Sequence, residues 1–203
     1  MLTDSNSLTY LQEIENLFQA YLEIYPADAS RLHVLGEQLS KRDPALNDRK
    51  NMVGHLTASA LVMNDKDEFL LIYHRFLKRW LQPGGHLDAG ESPSQGALRE
   101  LKEETNVGNV IQVCSLHREN GSLNCPIDID SHAIPASPAK QEGEHLHHDF
   151  QYIFKTAERD NLLLDAGEVS DYKWVSLEEL AGGEYGQRLA RVAGKIQAQW
   201  PPL

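Results

Sequence analysis

The chain is poor in cysteine, in basic charge and in long apolar runs, and each shortage closes off a class of function. Only Cys114 and Cys125 occur among its 203 residues. Two thiols make no disulfide framework, and their spacing is not that of a zinc ribbon. The expectation is reduced thiols and a cytoplasmic chain. No apolar stretch approaches the roughly 20 residues a membrane helix needs, so no membrane partner is expected. The N-terminus, Met1-Leu-Thr-Asp-Ser-Asn, has neither the basic patch nor the apolar core of a secretory signal. Lys and Arg number 19 against 30 Asp and Glu, a net charge of -11. Nonspecific nucleic-acid binding relies on cations that neutralise phosphates, and this balance argues against it. With 41% hydrophobic and 24% charged residues the composition is that of an ordinary globular protein. The length permits a sizeable core, as one domain or one with an appendage.

What is present in excess is acid, and one segment concentrates it. Glu100, Glu103 and Glu104 follow a glycine-rich turn within what reads as a helix. At about 100° per residue they share one arc of roughly 100°. Ala97, Leu98, Leu101 and Thr105 fill the neighbouring arc that can pack inward. Like charges side by side destabilise a helix, unless a hard divalent cation such as Mg²⁺ or Mn²⁺ neutralises them. A solvated acidic face is the plain alternative, but the flanks argue against it. Ser92, Pro93 and Gln95 spell an N-cap, a proline at the first helical position and a capping-box partner. Gly84-Gly85 lets backbone approach a metal without a Cβ in the way. Glu91 and Arg99 are positioned to pair, clamping the turn to the helix.

This segment resembles the Nudix box. Gly85, Glu91, Arg99, Glu100, Leu101, Glu103, Glu104 and Val107 match at the required spacing, with Asn106 where the family has glycine. That glycine ends the helix in a left-handed conformation, and asparagine is the next most tolerant residue there. Phe69–His74 with Trp80-Leu-Gln-Pro-Gly-Gly85, and Glu168 through Leu180, extend the resemblance over about residues 53–181. It implies an α/β Nudix fold, a mixed β-sheet sandwiched by helices, over residues 51–203, with residues 1–50 an N-terminal helical extension. It also implies hydrolysis of a diphosphate bond in a nucleoside diphosphate linked to a further group X. The partner would then be a small, nucleotide-derived phosphorylated substrate. The implied metal ligands are Glu100, Glu103, Glu104 and the Gly84 carbonyl, holding Mg²⁺ or Mn²⁺. Gly85, Glu91 and Arg99 are implied to orient the turn. The general base is open between Glu103 and a residue near His147. The alternatives are a non-catalytic nucleotide-binding Nudix module and the isomerase branch of the fold. The latter needs a cysteine opposite a glutamate, and neither cysteine sits in a motif for it.

Elsewhere, Leu8, Leu11, Ile14, Leu17, Phe18 and Leu22 recur at helical spacing over residues 7–24. A second helix is expected over 27–39, from Leu32, Leu35 and Leu39, although Gly36 interrupts it. This hairpin serves packing, a substrate pocket or a homodimer interface. Strands are expected over 57–63 and 69–74, joined by a turn, then over 110–115, 126–130, 148–154 and 171–175, with a C-terminal helix near 177–199. Four of nine histidines lie between 132 and 148. On strands, Asp128, Asp130 and His132 share a face, as do His145, His147 and Asp149. These groups make a transition-metal site, supply a base, or hydrogen-bond one another to pin the loop between the strands. That loop, 133–144, has the length of a lid. Arg75, Lys78, Arg79, His86 and His147 are candidate substrate contacts, or, for the basic residues before Trp80, solvent-facing side chains. Trp80 stacks on a base or anchors the core.

Overall fold

The computed structural model describes residues 4–113, 125–138, 141–158 and 162–199, with side chains from Leu8 onward. Cys114 and part of the 133–144 loop lie outside these residues. The elements run α1 (Asp4–Ile24), a 3₁₀ turn (Pro26–Ser30), α2 (His33–Ser40), β1 (Gly54–Met63), β2 (Phe69–His74), β3 (Arg79–Leu81) and β4 (Gly84–His86). They continue with α3 (Pro93–Thr105), β5 (Val110–Val113), β6 (Asp128–Ile134), β7 (His145–Thr156), β8 (Val169–Val175), α4 (Leu177–Ala181) and α5 (Gln187–Gln199).

The strands form one mixed sheet. β1 and β7 lie parallel at its centre over ten paired positions, from Gly54↔Leu146 to Met63↔Lys155. The path β3-β2-β1-β7-β5 is completed by β4 on β1, β6 on β7 and β8 on β2. The expected β1–β2 hairpin pairs only at its tip, Met63↔Phe69. Beyond that point β4 takes the edge of β1, through Thr57↔His86, Ala58↔Gly85 and Ser59↔Gly84. This insertion carries the glycine turn onto the central strand.

Alternation divides the sheet into two chemistries. Leu56, Ala58, Ala60 and Val62 join Phe150, Tyr152 and Phe154 against Ala97 and Leu101 of α3. Leu11, Ile14, Phe18 and Tyr21 of α1 and Leu35 and Leu39 of α2 belong to the same core. On the other face Leu61 and Ile153 pack with Leu189, Val192 and Ile196 of α5. The same face turns polar further along, where His55, Thr57 and Ser59 run beside His147, Asp149 and Gln151.

Several expectations shift. The helix expected over 27–39 is a 3₁₀ turn and a separate α2, because Pro26 opens a tight turn and Asp28 bonds locally to Arg31. The C-terminal helix is two, since Gly183 and Gly186 take positive φ of 82° and 97° between α4 and α5. β6 starts later and runs longer than 126–130, and β7 starts earlier than residue 148, so the two make a long antiparallel pair. In α1, Leu8 is 51% exposed, whereas Tyr21, off the expected stripe, is wholly buried.

Candidate active site

The α3 start is built as its sequence spells it. Ser92 accepts from the Gln95 N–H while Gln95 accepts from the Ser92 N–H, and Pro93 opens the first turn. At the far end Asn106 adopts φ 58°, ψ 15°, the left-handed cap that glycine would otherwise supply. Between these ends α3 turns its acids toward β4.

Arg99 is the hub. Its Nε donates to Glu91 Oε1 at 3.0 Å and its Nη2 to Glu91 Oε2 at 3.0 Å, a two-pronged clamp. Its Nη1 reaches Glu100 at 2.9 Å and Glu103 at 3.1 Å, and Nη2 also holds the His86 carbonyl at 2.7 Å. The bond to Glu91 is the main reason the guanidinium is held above its ordinary pKa. Glu100 lies against Gly85 so closely that a Cβ there would stand 2.5 Å from Oε1. A side chain at this position would push the Glu100 carboxylate from its place. Glu104 is 3% exposed and accepts the Gly84 N–H at 2.9 Å. The expectation for Gly84 is a carbonyl ligand; the contact observed is through its N–H. Glu103 is the exposed member of the three, its side chain 60% accessible.

Burial pushes the Glu104 carboxyl up to about 8, overriding the Gly84 hydrogen bond, and the charges of Glu100, Glu168 and Asp165 push the same way. Burial likewise raises Glu100, against the pull of Arg99. One buried and one half-buried carboxyl, repelled by further acids, form a hard oxygen donor set that a divalent cation would satisfy.

Asp165 and Glu168 escaped sequence reasoning. The Asp165 N–H donates to the Glu104 carbonyl at 3.0 Å, docking this loop on the end of α3. A signal existed: Leu-Asp-Ala-Gly-Glu occurs twice, at 87–91 and at 164–168. Both copies fold as the same turn, the Glu N–H donating to the Asp carbonyl at 3.1 Å in each.

The histidines gather on the opposite side of β4. His86 Nε2 lies 3.2 Å from His55 Nε2. The rings of His55, His145 and His147 stand 4.7–5.2 Å apart, centre to centre. Burial, then the neighbouring His86 and His55, depress the His147 pKa to about 2. Asp128 and Asp130 stand apart from this group. They bind Arg191 at 2.8 and 2.6 Å, and Asp128 also binds Arg31 and Lys195. His132 bridges the two sets, bonded to Asp130 at 3.0 Å with its ring 5.7 Å from His147. Asp149 accepts from Ser59 at 2.7 Å and from Gln151 at 3.1 Å.

Of the basic candidates, Arg75 donates its Nε to the Val169 carbonyl at 3.2 Å, tying β2 to β8. Lys78 is exposed in the turn after β2, with φ 50°. Arg79 lines a cavity of about 240 Å³ with Trp80, Gln82, Tyr185, Gln187 and Arg188. The Lys173 ammonium stands over both aromatic rings of this cavity, 4.4 Å from Trp80 and 4.3 Å from Tyr185.

Comparison with known proteins places this geometry. The NUDIX domain model matches residues 53–193. A Lactococcus lactis protein named as a probable DHNTP pyrophosphohydrolase is 30% identical over 147 residues, 72% of this chain and 81% of that protein. A Bacillus subtilis protein, provisionally named an 8-oxo-dGTP diphosphatase, is 28% identical over 119 residues, covering 59% and 64%. The crystal structure of a NUDIX-family hydrolase from Clostridium perfringens superposes with a TM-score of 0.51 at 28% identity, covering 71% of this chain and 97% of that one.

Proposed function

The chain belongs to the Nudix family of pyrophosphohydrolases, and from that premise we propose that it hydrolyses a small nucleotide-like triphosphate with the help of Mg²⁺ or Mn²⁺. One observation carries the reading: Glu104 is buried against the glycine turn beside Glu100, in a chain of this family. The substrate class is supported by the two relatives' names, one a DHNTP pyrophosphohydrolase and the other an 8-oxo-dGTP diphosphatase, both naming a heterocyclic triphosphate.

In this reading Glu100 and Glu104 would hold the ion, and Glu103 would be the third ligand. The bound ion would neutralise phosphate charge and lower the pKa of the attacking water. Water attacks a phosphorus, the bond to the bridging oxygen breaks, and pyrophosphate leaves. The water's proton passes to an exposed carboxylate, and Glu103 and Glu168 are the candidates. Arg99 and Glu91 orient the turn. The ring is assigned to the cavity beside Trp80 and Tyr185, which Arg79 and Arg188 also line.

The test is a substrate panel with Mg²⁺ or Mn²⁺, scoring released phosphate and pyrophosphate. It spans dihydroneopterin triphosphate, 8-oxo-dGTP, nucleotide sugars, dinucleoside polyphosphates and capped RNA. Glu104→Gln should lower turnover at least about 100-fold, since several kcal/mol of charge stabilisation goes with the ion. Silence across the panel with tight binding of one member would replace the hydrolase with a binding module. Near-normal turnover of the variant would remove Glu104 from the site.

A further inference from the structure

We propose that His55, His145 and His147, with His86 at the open side, form a second metal site, selective for a transition ion of the Zn²⁺ class. The strand pairing brings them together. His55 and His147 are direct partners on parallel β1 and β7. His145 lies two positions before His147, on the same side of β7. His86 pairs with Thr57 on β4, diagonal to His55. One ligand nitrogen from each of His55, His145 and His147 falls within 4.8 Å of the others. Two imidazole nitrogens bound to one tetrahedral Zn²⁺ stand about 3.3 Å apart, given Zn–N distances of about 2.0–2.1 Å. The His55–His86 Nε2 separation of 3.2 Å already meets that spacing. Small ring rotations would close the remainder.

The surroundings orient the rings as ligands. His55 Nδ1 lies 3.2 Å from the Asn51 carbonyl, and His145 Nδ1 lies 2.8 Å from the Gly143 carbonyl. A carbonyl only accepts, so both Nδ1 atoms carry the ring proton and both Nε2 atoms keep the lone pair, that of His55 facing His86. Backbone carbonyls fixing the tautomer in this way are the usual outer support of metal-bound histidine. His55 and His145 are 1% and 5% exposed, so water is a poor substitute partner.

Chemistry and position separate this site from the acidic one. All-imidazole donors favour Zn²⁺, Ni²⁺ or Cu²⁺ over Mg²⁺. Alternation along β4 turns Gly85 toward Glu100 and His86 toward His55. The inference does not rest on the hydrolase reading, because its measurements need no substrate.

The test strips the full chain with chelator and titrates it with Co²⁺, reading the visible absorption of the tetrahedral ion, and with Zn²⁺, reading bound metal by mass spectrometry. One tetrahedral equivalent is expected in the unsubstituted protein and in Glu104→Gln, apart from any ion held by the acidic site. His147→Ala and His86→Ala should weaken binding by roughly 10–100-fold or more. X-ray absorption on the Zn²⁺-loaded unsubstituted protein should show imidazole nitrogens at about 2.0–2.1 Å, a readout independent of whether a variant folds. Undiminished binding by folded His147→Ala, an oxygen-only shell, or no bound equivalent would each overturn the proposal.

Discussion

Glu104 holds a carboxyl group whose ionisation the fold resists, and the resistance has a sign. Its folded pKa stands near 8 against the ordinary 4.5 of a glutamate. Between those values the folded protein keeps a proton that the unfolded chain has released. Stability without metal is therefore greatest below pH 4.5 as far as this group is concerned, and is lost as pH rises toward 8. The loss is of the order of a few kcal/mol. Glu100, raised by the same burial, adds to it with the same sign. In chelator, the melting temperature should fall from pH 5 to pH 8, and Glu104→Gln should remove most of that slope. Saturating Mg²⁺ should flatten the profile of the unsubstituted protein, because a bound cation favours the ionised carboxylate. Identical pH profiles for the two proteins in chelator would show that Glu104 ionises freely.

At the scale of elements, α5 meets β6 and the N-terminal turn through charge. Lys195 Nζ reaches Asp28 and Asp128 at 2.6 Å each, Arg191 reaches Asp128 and Asp130, and Arg31 binds Asp28 and Asp128. The Tyr21 hydroxyl donates to Asp128 at 2.8 Å. Burial alone would raise the Asp130 carboxyl, but the His132 hydrogen bond and the nearby Arg191 hold it well below the usual carboxylate range. The Asp128 side chain is 0% exposed between its cations. Asp128→Asn removes the charge that three of them share, and stranding a partner of a buried pair costs about 3–5 kcal/mol. Urea unfolding should show that loss, and a change below about 1 kcal/mol would mean that water or rearrangement compensates. The sequence placed Asp128, Asp130 and His132 on one strand face, yet left open what they bind. Their partners Arg31 and Arg191 stand far off in the chain, and no spacing rule links them. The box was readable because its cap, clamp and acids all lie within one turn and one helix. The histidine cluster was half readable: alternation paired His145 with His147, but His55 and His86 join only when β1 and β4 are laid beside β7.

At the scale of the whole molecule, the family match begins at residue 53, but the core begins earlier. Leu11, Ile14, Phe18, Tyr21, Leu32, Leu35, Leu39 and Leu46 are buried in one cluster with Leu56, Ala58, Phe150 and Tyr152. Polar contacts reinforce the joint. The Gln38 amide donates to the Gly54 carbonyl at 2.9 Å, its oxygen lies 2.8 Å from His148 Nε2, and the Leu56 N–H donates to the Leu46 carbonyl at 3.0 Å. Helical periodicity found this apolar stripe, but periodicity says only that a face is covered, not by what. The answer makes the first 50 residues part of the scaffold that holds β1, and β1 carries both His55 and the pairing that seats Gly84 and Gly85. Deleting residues 1–50 would bare that core and leave Asp128 without Tyr21, Asp28 and Arg31. Each buried leucine-sized side chain contributes about 1.5–3 kcal/mol, so losing this cover is large beside the 5–15 kcal/mol that holds a typical domain together. The shortened chain should lose cooperative melting and bind a hydrophobic dye at temperatures where the full chain does not. A soluble fragment melting within about 5 °C of the full protein, a change of only one or two kcal/mol, would show instead that the sheet and its acidic turn stand without their N-terminal cover.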